Sequence, residues 1–138
     1  MLEMKTKFPL SIPKLIKKAD RLFQRLRVLE EVDEQGYGFC ITCIKPVRLH
    51  HSKLDGGHFI GKGLGGAFLA VRYEKNNVWP QCIRCNRFQS GNYSIYRDNL
   101  IKIVGVVEVE RLEKEKYKPI VFLRSFLEEI LESFKRGA

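Results

Sequence analysis

Apolar residues recur at Ile12, Leu15, Ile16, Ala19, Leu22, Phe23, Leu26 and Leu29, the three-and-four spacing that lays one stripe along a helix. Ser11 offers a cap and Pro13 suits a first turn, so the pattern predicts a helix over residues 11–33. Between the apolar positions stand Lys14, Lys17, Lys18, Arg21, Arg25 and Arg27, a basic face that either follows a phosphate backbone or is simply solvated. Residues 54–60 and 77–81 read as two short strands joined by a glycine-rich loop, 61–70, and a helix is predicted from about residue 92 to 104. A short helix follows over 106–116. After Pro119 comes a last helix with apolar positions Leu123, Phe126, Leu127, Ile130, Leu131 and Phe134, whose narrow stripe either caps the core or pairs with its copy in a homodimer.

At 138 residues the chain suits one domain with a modest core. It divides into a basic amphipathic helix (11–33), a central part (36–105) and C-terminal helices (106–138). No apolar run approaches the ~18 residues of a membrane span and no signal segment is recognisable, so no membrane partner and a cytoplasmic location are expected. The net charge is +9, and residues 1–65, 66–104 and 105–138 contribute +5, +4 and 0. The excess therefore precedes Gly105 and points to a polyanion, most simply DNA. Lys14, Lys17, Lys18, Arg21, Lys62, Arg84 and Arg87 are the candidate contacts, with a basic surface kept for solubility as the plain alternative.

The central part holds the chemistry. Cys40-Ile-Thr-Cys43 and Cys82-Ile-Arg-Cys85 are separated by 38 residues. In a reducing compartment such pairs suit a tetrahedral structural zinc site better than a disulfide framework, with a redox dithiol as the other reading. Asn86, directly behind the second pair, is not needed for zinc. Asp55 and His58, in Leu54-Asp55-Gly56-Gly57-His58-Phe59, are its candidate partners. A carboxylate and an amide oxygen suit a hard ion such as magnesium or manganese, and a neutral histidine suits a general base.

Several neighbours carry less. His50 and His51 either touch phosphate or metal or are surface residues. Asn92 either caps the following helix or is a ligand, and Trp79 is either core or a platform for a base. The Gly61-Lys62-Gly63-Leu64-Gly65-Gly66 run lacks the Gly-Lys-Ser/Thr of a Walker loop and reads as a mobile loop.

Taken in order, Cys40 and Cys43, Asp55 to Phe59, Arg72 to Asn86, Ser90-Gly91-Asn92, and Tyr96-Arg97 with Leu100-Ile101 resemble the NinG (Rap) recombination proteins of lambdoid phages over about residues 36–110. That family in turn resembles the HNH, or ββα-metal, nucleases. The resemblance implies an α+β fold: a small ββα-metal core with a four-cysteine zinc knuckle, flanked by N- and C-terminal helices. It implies His58 as the base that activates water, Asn77 as the residue tying the loop between the strands, and Asn86 as a metal ligand. One departure stands out, since many HNH enzymes place a metal ligand immediately before the histidine and here that residue is Gly57. Asp55 shares the side of an extended strand with residue 57 and so could supply the ligand, or serve a turn instead.

The expectation is thus a dimeric endonuclease with structural Zn2+ and catalytic Mg2+ or Mn2+, cutting branched recombination intermediates such as Holliday junctions in the cytoplasm of a bacterial host. An HNH nuclease acting on duplex DNA and a non-catalytic zinc DNA-binding module are the alternatives.

Overall fold

The computed structural model describes residues 8–49, 53–63, 67–89 and 92–137. Its first helix, α1 (Ile12–Glu31), begins where Ser11 Oγ accepts the Lys14 N–H at 3.4 Å and Pro13 occupies the first turn. A small hairpin follows, β1 (Tyr37–Phe39) paired antiparallel with β2 (Pro46–Arg48). The predicted strands form a second hairpin, β3 (Leu54–His58) against β4 (Val78–Cys82), in the register Asp55 opposite Gln81 and His58 opposite Val78. Helix α3 (Tyr93–Val104), α4 (Val106–Glu115) and α5 (Leu123–Gly137) complete an α+β fold. Gly105, at φ +89°, makes the break between α3 and α4. Among the described residues no helix is long and apolar enough to cross a membrane.

Two clusters form the core. Leu15, Ala19 and Phe23 of α1 pack with Leu127 and Leu131 of α5, and with Tyr73 and Val78; the Phe23 and Phe134 rings stack at 5.4 Å. The stripe of α5 is therefore covered within the chain, by α1. The second cluster gathers Ile41, Phe59, Val71, Tyr96, Leu100 and Val109. Gly56 lets β3 lie directly on α1, because a Cβ there would come within 2.6 Å of the Gln24 carbonyl oxygen.

Three features differ from the pattern reading. The loop expected to run to residue 70 ends earlier: Leu69 and Val71, in a short helix α2 (Leu69–Arg72), are buried in the two clusters, and a 3-10 turn (Lys75–Asn77) leads into β4. The β1–β2 hairpin has three-residue strands with no alternating pattern to betray them. Arg27 leaves the basic face altogether. It is fully buried, donates from Nε to the carbonyl oxygens of Lys75 and Val78 at 3.0 and 2.9 Å, and lies over the Trp79 ring.

Candidate functional site

The first cysteine pair lies in the turn of the β1–β2 hairpin and the second at the end of β4. What brings them together is backbone docking: the Ile41 N–H donates to the Pro80 carbonyl at 2.8 Å. From the other side, Asn99 of α3 donates to the carbonyls of Ile41 and Thr42. Buried Gln81 donates to Thr42 Oγ1 at 2.8 Å. As a result the four Sγ atoms of Cys40, Cys43, Cys82 and Cys85 lie within 4.8 Å of one another. A tetrahedral zinc with Zn–S bonds of ~2.3 Å sets its sulfurs about 3.8 Å apart, and the Cys43–Cys82 separation is 3.9 Å. Burial pushes the Cys85 thiol well up and Cys43 up as well, whereas at Cys40 the upward push of burial is outweighed by backbone N–H donors. A cation is what would let all four become thiolates together. The four cysteines are positioned to bind a metal ion and fit structural zinc.

The second hairpin positions His58 and Asn77. Asn77 is fully buried at the foot of β4, and its side chain takes the Ile60 N–H at 2.8 Å while donating to the Ile60 carbonyl at 3.3 Å. With the Phe59 N–H donating to the Asn77 carbonyl, the chain leaving β3 is stapled to the chain entering β4. His58 ends β3, and its Nε2 lies 3.0 Å from the Arg72 carbonyl oxygen. A carbonyl only accepts, so Nε2 carries the hydrogen and Nδ1 keeps its lone pair. Burial lowers the His58 pKa to about 4, and the Lys62 charge acts in the same direction. The imidazole is accordingly neutral at physiological pH.

The Arg72 carbonyl is held in place by the Arg72 side chain, which forms a two-pronged pair with Asp20 of α1 at 3.0 Å on each prong. Tyr73 Oη adds a third donor to Asp20 at 2.9 Å and Lys62 Nζ lies 3.6 Å away. The sequence reading did not single out Asp20 or Arg72 as a pair. A signal existed: Asp20 is the single acid in α1 before Glu30, and it falls among the apolar stripe positions.

Asp55 and Asn86 do meet. The π-helical turn Arg84–Phe88 that follows β4 brings Asn86 Nδ2 to 2.9 Å from Asp55 Oδ2. Because β3 is extended from Leu54 to His58, Asp55 leaves it on the same side as Gly57. The structure adds a competitor. Arg87, expected to face DNA, instead grips both Asp55 oxygens at 2.9 Å, and does so from a side chain 60% exposed.

The other candidates fall as follows. Lys14, Lys17, Arg21 and Arg84 are exposed, while Lys18 lies over the Phe8 ring. Lys62 donates to Gln24 Oε1 at 3.1 Å beside its contact with Asp20. Asn92 stands at the N-cap position of α3 in the left-handed region (φ 48°), but its side chain bonds Gln89 and does not cap. Trp79 is no free platform, with its indole N–H on the Asn76 carbonyl and Arg27 over its ring. Tyr96 and Arg97 are structural, Tyr96 donating to the Gly57 carbonyl at 2.7 Å and Arg97 pairing with Glu113 of α4. His50, His51, Ser90, Gly91 and residues 64–66 lie outside the described residues.

Compared with known proteins, residues 10–136 match the sequence model of a family described as "Bacteriophage Lambda NinG protein". Relatives called "Protein ninG" include those of Salmonella phage P22, 31% identical over 75 residues (54% of this chain and 36% of the relative), and Enterobacteria phage H19B, 32% identical over 73 residues (53% and 35%). The protein of Escherichia phage lambda is 32% identical over 73 residues, 53% of this chain and 34% of its own length. The matched stretch thus spans about a third of the curated relatives. No solved structure matches.

Proposed function

The chain belongs to the NinG family, and on that premise we propose that it is a metal-dependent endonuclease of the HNH type that cuts branched DNA, as Holliday-junction resolvases and Rap-like recombination proteins do. The observation that carries this reading is the mounting of His58, whose Nε2–H is spent on the Arg72 carbonyl so that a neutral ring offers Nδ1 as a base. The antiparallel β3–β4 hairpin, stapled by Asn77 and followed by a helical turn bearing Asn86, supports the reading as a ββα-metal core.

In this mechanism His58 Nδ1 takes a proton from water as the water oxygen attacks the scissile phosphorus and the bond to the departing sugar oxygen breaks. Asp55 and Asn86 would hold magnesium or manganese, Arg87 yielding the carboxylate as its exposed side chain swings away. Such an ion supplies charge neutralisation at the phosphate and leaving oxygen. Arg72 and Asp20 keep the base oriented, and the cysteine cluster, with zinc, fixes the end of β4 from which Asn86 is presented.

Branched DNA enters through the family resemblance, and the +9 charge supports a polyanionic partner. Resolution of a four-way junction needs two symmetric cuts and so two chains. Since α1 covers the stripe of α5, a homodimer would use another surface. Incubating zinc-loaded protein and magnesium with labelled duplex, flap and four-way DNA tests the reading. Junction cleavage that His58→Ala abolishes supports it; cleavage of plain duplex at the same rate favours a duplex-cutting HNH enzyme, and binding without any cleavage favours a zinc DNA-binding module.

A further inference from the structure

Between α1 and the face of β3 runs a groove of about 630 Å³. One wall is helical and carries Lys17, Arg21 and Arg25; the facing wall carries Lys62 and Arg87. Lys17, Arg21 and Arg25 have no carboxylate partner among the described residues; on the facing wall Lys62 and Arg87, with side chains 39% and 60% exposed, also contact Asp20 and Asp55. Beyond Arg25 the lining turns apolar, with Val28, Leu29, Leu49 and Leu54. Leu29 is 47% exposed there, while Val28 and Leu54 are buried beneath it.

We infer that this groove is a binding site for one unpaired DNA strand, held by phosphates at its basic end with a base laid on the apolar end. The inference rests on the nuclease reading only for the groove's link to the base: its Asp20 pairs with the Arg72 whose carbonyl holds His58. Three features argue for a single strand. The cations come from both walls, which grips one backbone, whereas a duplex would meet a single convex face. A cavity of this size belongs to the range that encloses a small ligand and not a double helix. From Lys17 to Leu29 the helix rises about 18 Å, room for roughly five nucleotides at the stacked 3.4 Å rise and fewer when extended. Unpaired nucleic acid exposes base faces that a duplex hides, and the aliphatic end of the groove, beside its basic side chains, offers such a face apolar contact. A strand of this kind is what a flap or an opened branch point presents.

The test is binding, separable from cleavage. Zinc-loaded His58→Ala protein without added magnesium is titrated with fluorescein-labelled oligo-dT of twelve residues and with a twelve-base-pair duplex, at several salt concentrations. The oligo-dT should bind at least tenfold more tightly, with a log–log salt slope of about −3, four phosphates at −0.7 each. Arg25→Gln combined with Lys62→Gln, one cation from each wall, should cost oligo-dT at least tenfold and halve the slope, while duplex affinity changes less than threefold. Arg25→Gln alone, at an exposed position with no carboxylate partner among the described residues, guards against a folding artefact and should show about half the effect. Duplex bound as tightly as oligo-dT, or both losing equally in the variants, would overturn the groove. Selective oligo-dT binding by an unmutated protein that cuts nothing would leave the groove standing and remove the nuclease.

Discussion

The two candidate metal positions adjoin in sequence, at Cys85 and Asn86, yet they are built on opposite principles. At the cysteine cluster the four sulfurs converge within 4.8 Å, held by the Ile41–Pro80 backbone bond and by side-chain bonds from Gln81 and Asn99. At Asp55 and Asn86 the donors also meet, but an exposed arginine already occupies the carboxylate. The first is a set of donors that one ion would satisfy; at the second an internal cation already holds the carboxylate.

The largest expected effect tests the cysteine cluster. Zinc at four-thiolate sites in small peptides contributes on the order of 10 to 16 kcal/mol, so Cys43→Ser or Cys82→Ser should unfold the region around the β1–β2 hairpin, seen as lost circular dichroism and about one zinc per chain gone in metal analysis. Folded, zinc-free parental protein would end the distinction between the sites. Next comes His58→Ala. General bases contribute ~10² to 10⁴-fold, and cleavage should fall by that much while zinc content and DNA affinity stay put, with added manganese restoring little.

Asp20→Asn sharpens the comparison from beneath. Losing one partner of a buried pair costs roughly 3 to 5 kcal/mol, so its urea midpoint should drop well below the parent's. In variants that remain folded, the His58 ring should lose its single tautomer in nitrogen NMR, which a merely structural role for Asp20 would not change. A pH effect follows from the same ring. Because the folded pKa of about 4 lies below the ordinary 6.5, the unfolded chain binds the extra proton between those values. Stability should therefore fall as pH drops from 6.5 toward 4, and His58→Ala should flatten that part of the profile. The smallest effect belongs to Arg87→Gln, which should lower the magnesium concentration for half-maximal cleavage severalfold if the arginine competes for Asp55. An unchanged requirement would show that it does not.

What could be read from the chain follows from how local each signal is. The cysteine pairs declare themselves by residue type and spacing, and α1 by the stripe from Ile12 to Phe23. Asp20 and Arg27 occupy the same stripe, but a charge at a core position becomes intelligible only once its partners are known, and these come from residues 72–78, some fifty residues on. The bond between Asn86 and Asp55 depends likewise on a helical turn with no apolar period of its own. Arg87 reads as one more cation for DNA, because nothing in its neighbourhood announces the carboxylate 32 residues earlier.

The packing of α5 on α1 has a consequence in time. Phe23 and Phe134 stack although 111 residues separate them, and Arg124 reaches back to the Leu10 carbonyl across 114. Contacts of such long range are late in folding, because the loop they close must be ordered before they return any free energy. As the chain leaves the ribosome, the stripe of α1 stays only partly covered, by residues 69–78, until α5 has been made. The basic face of α1 is complete from the start, so a nascent chain carries its anion-binding surface before it has a finished core, and the interval between the two is when proteases and aggregation have their opportunity.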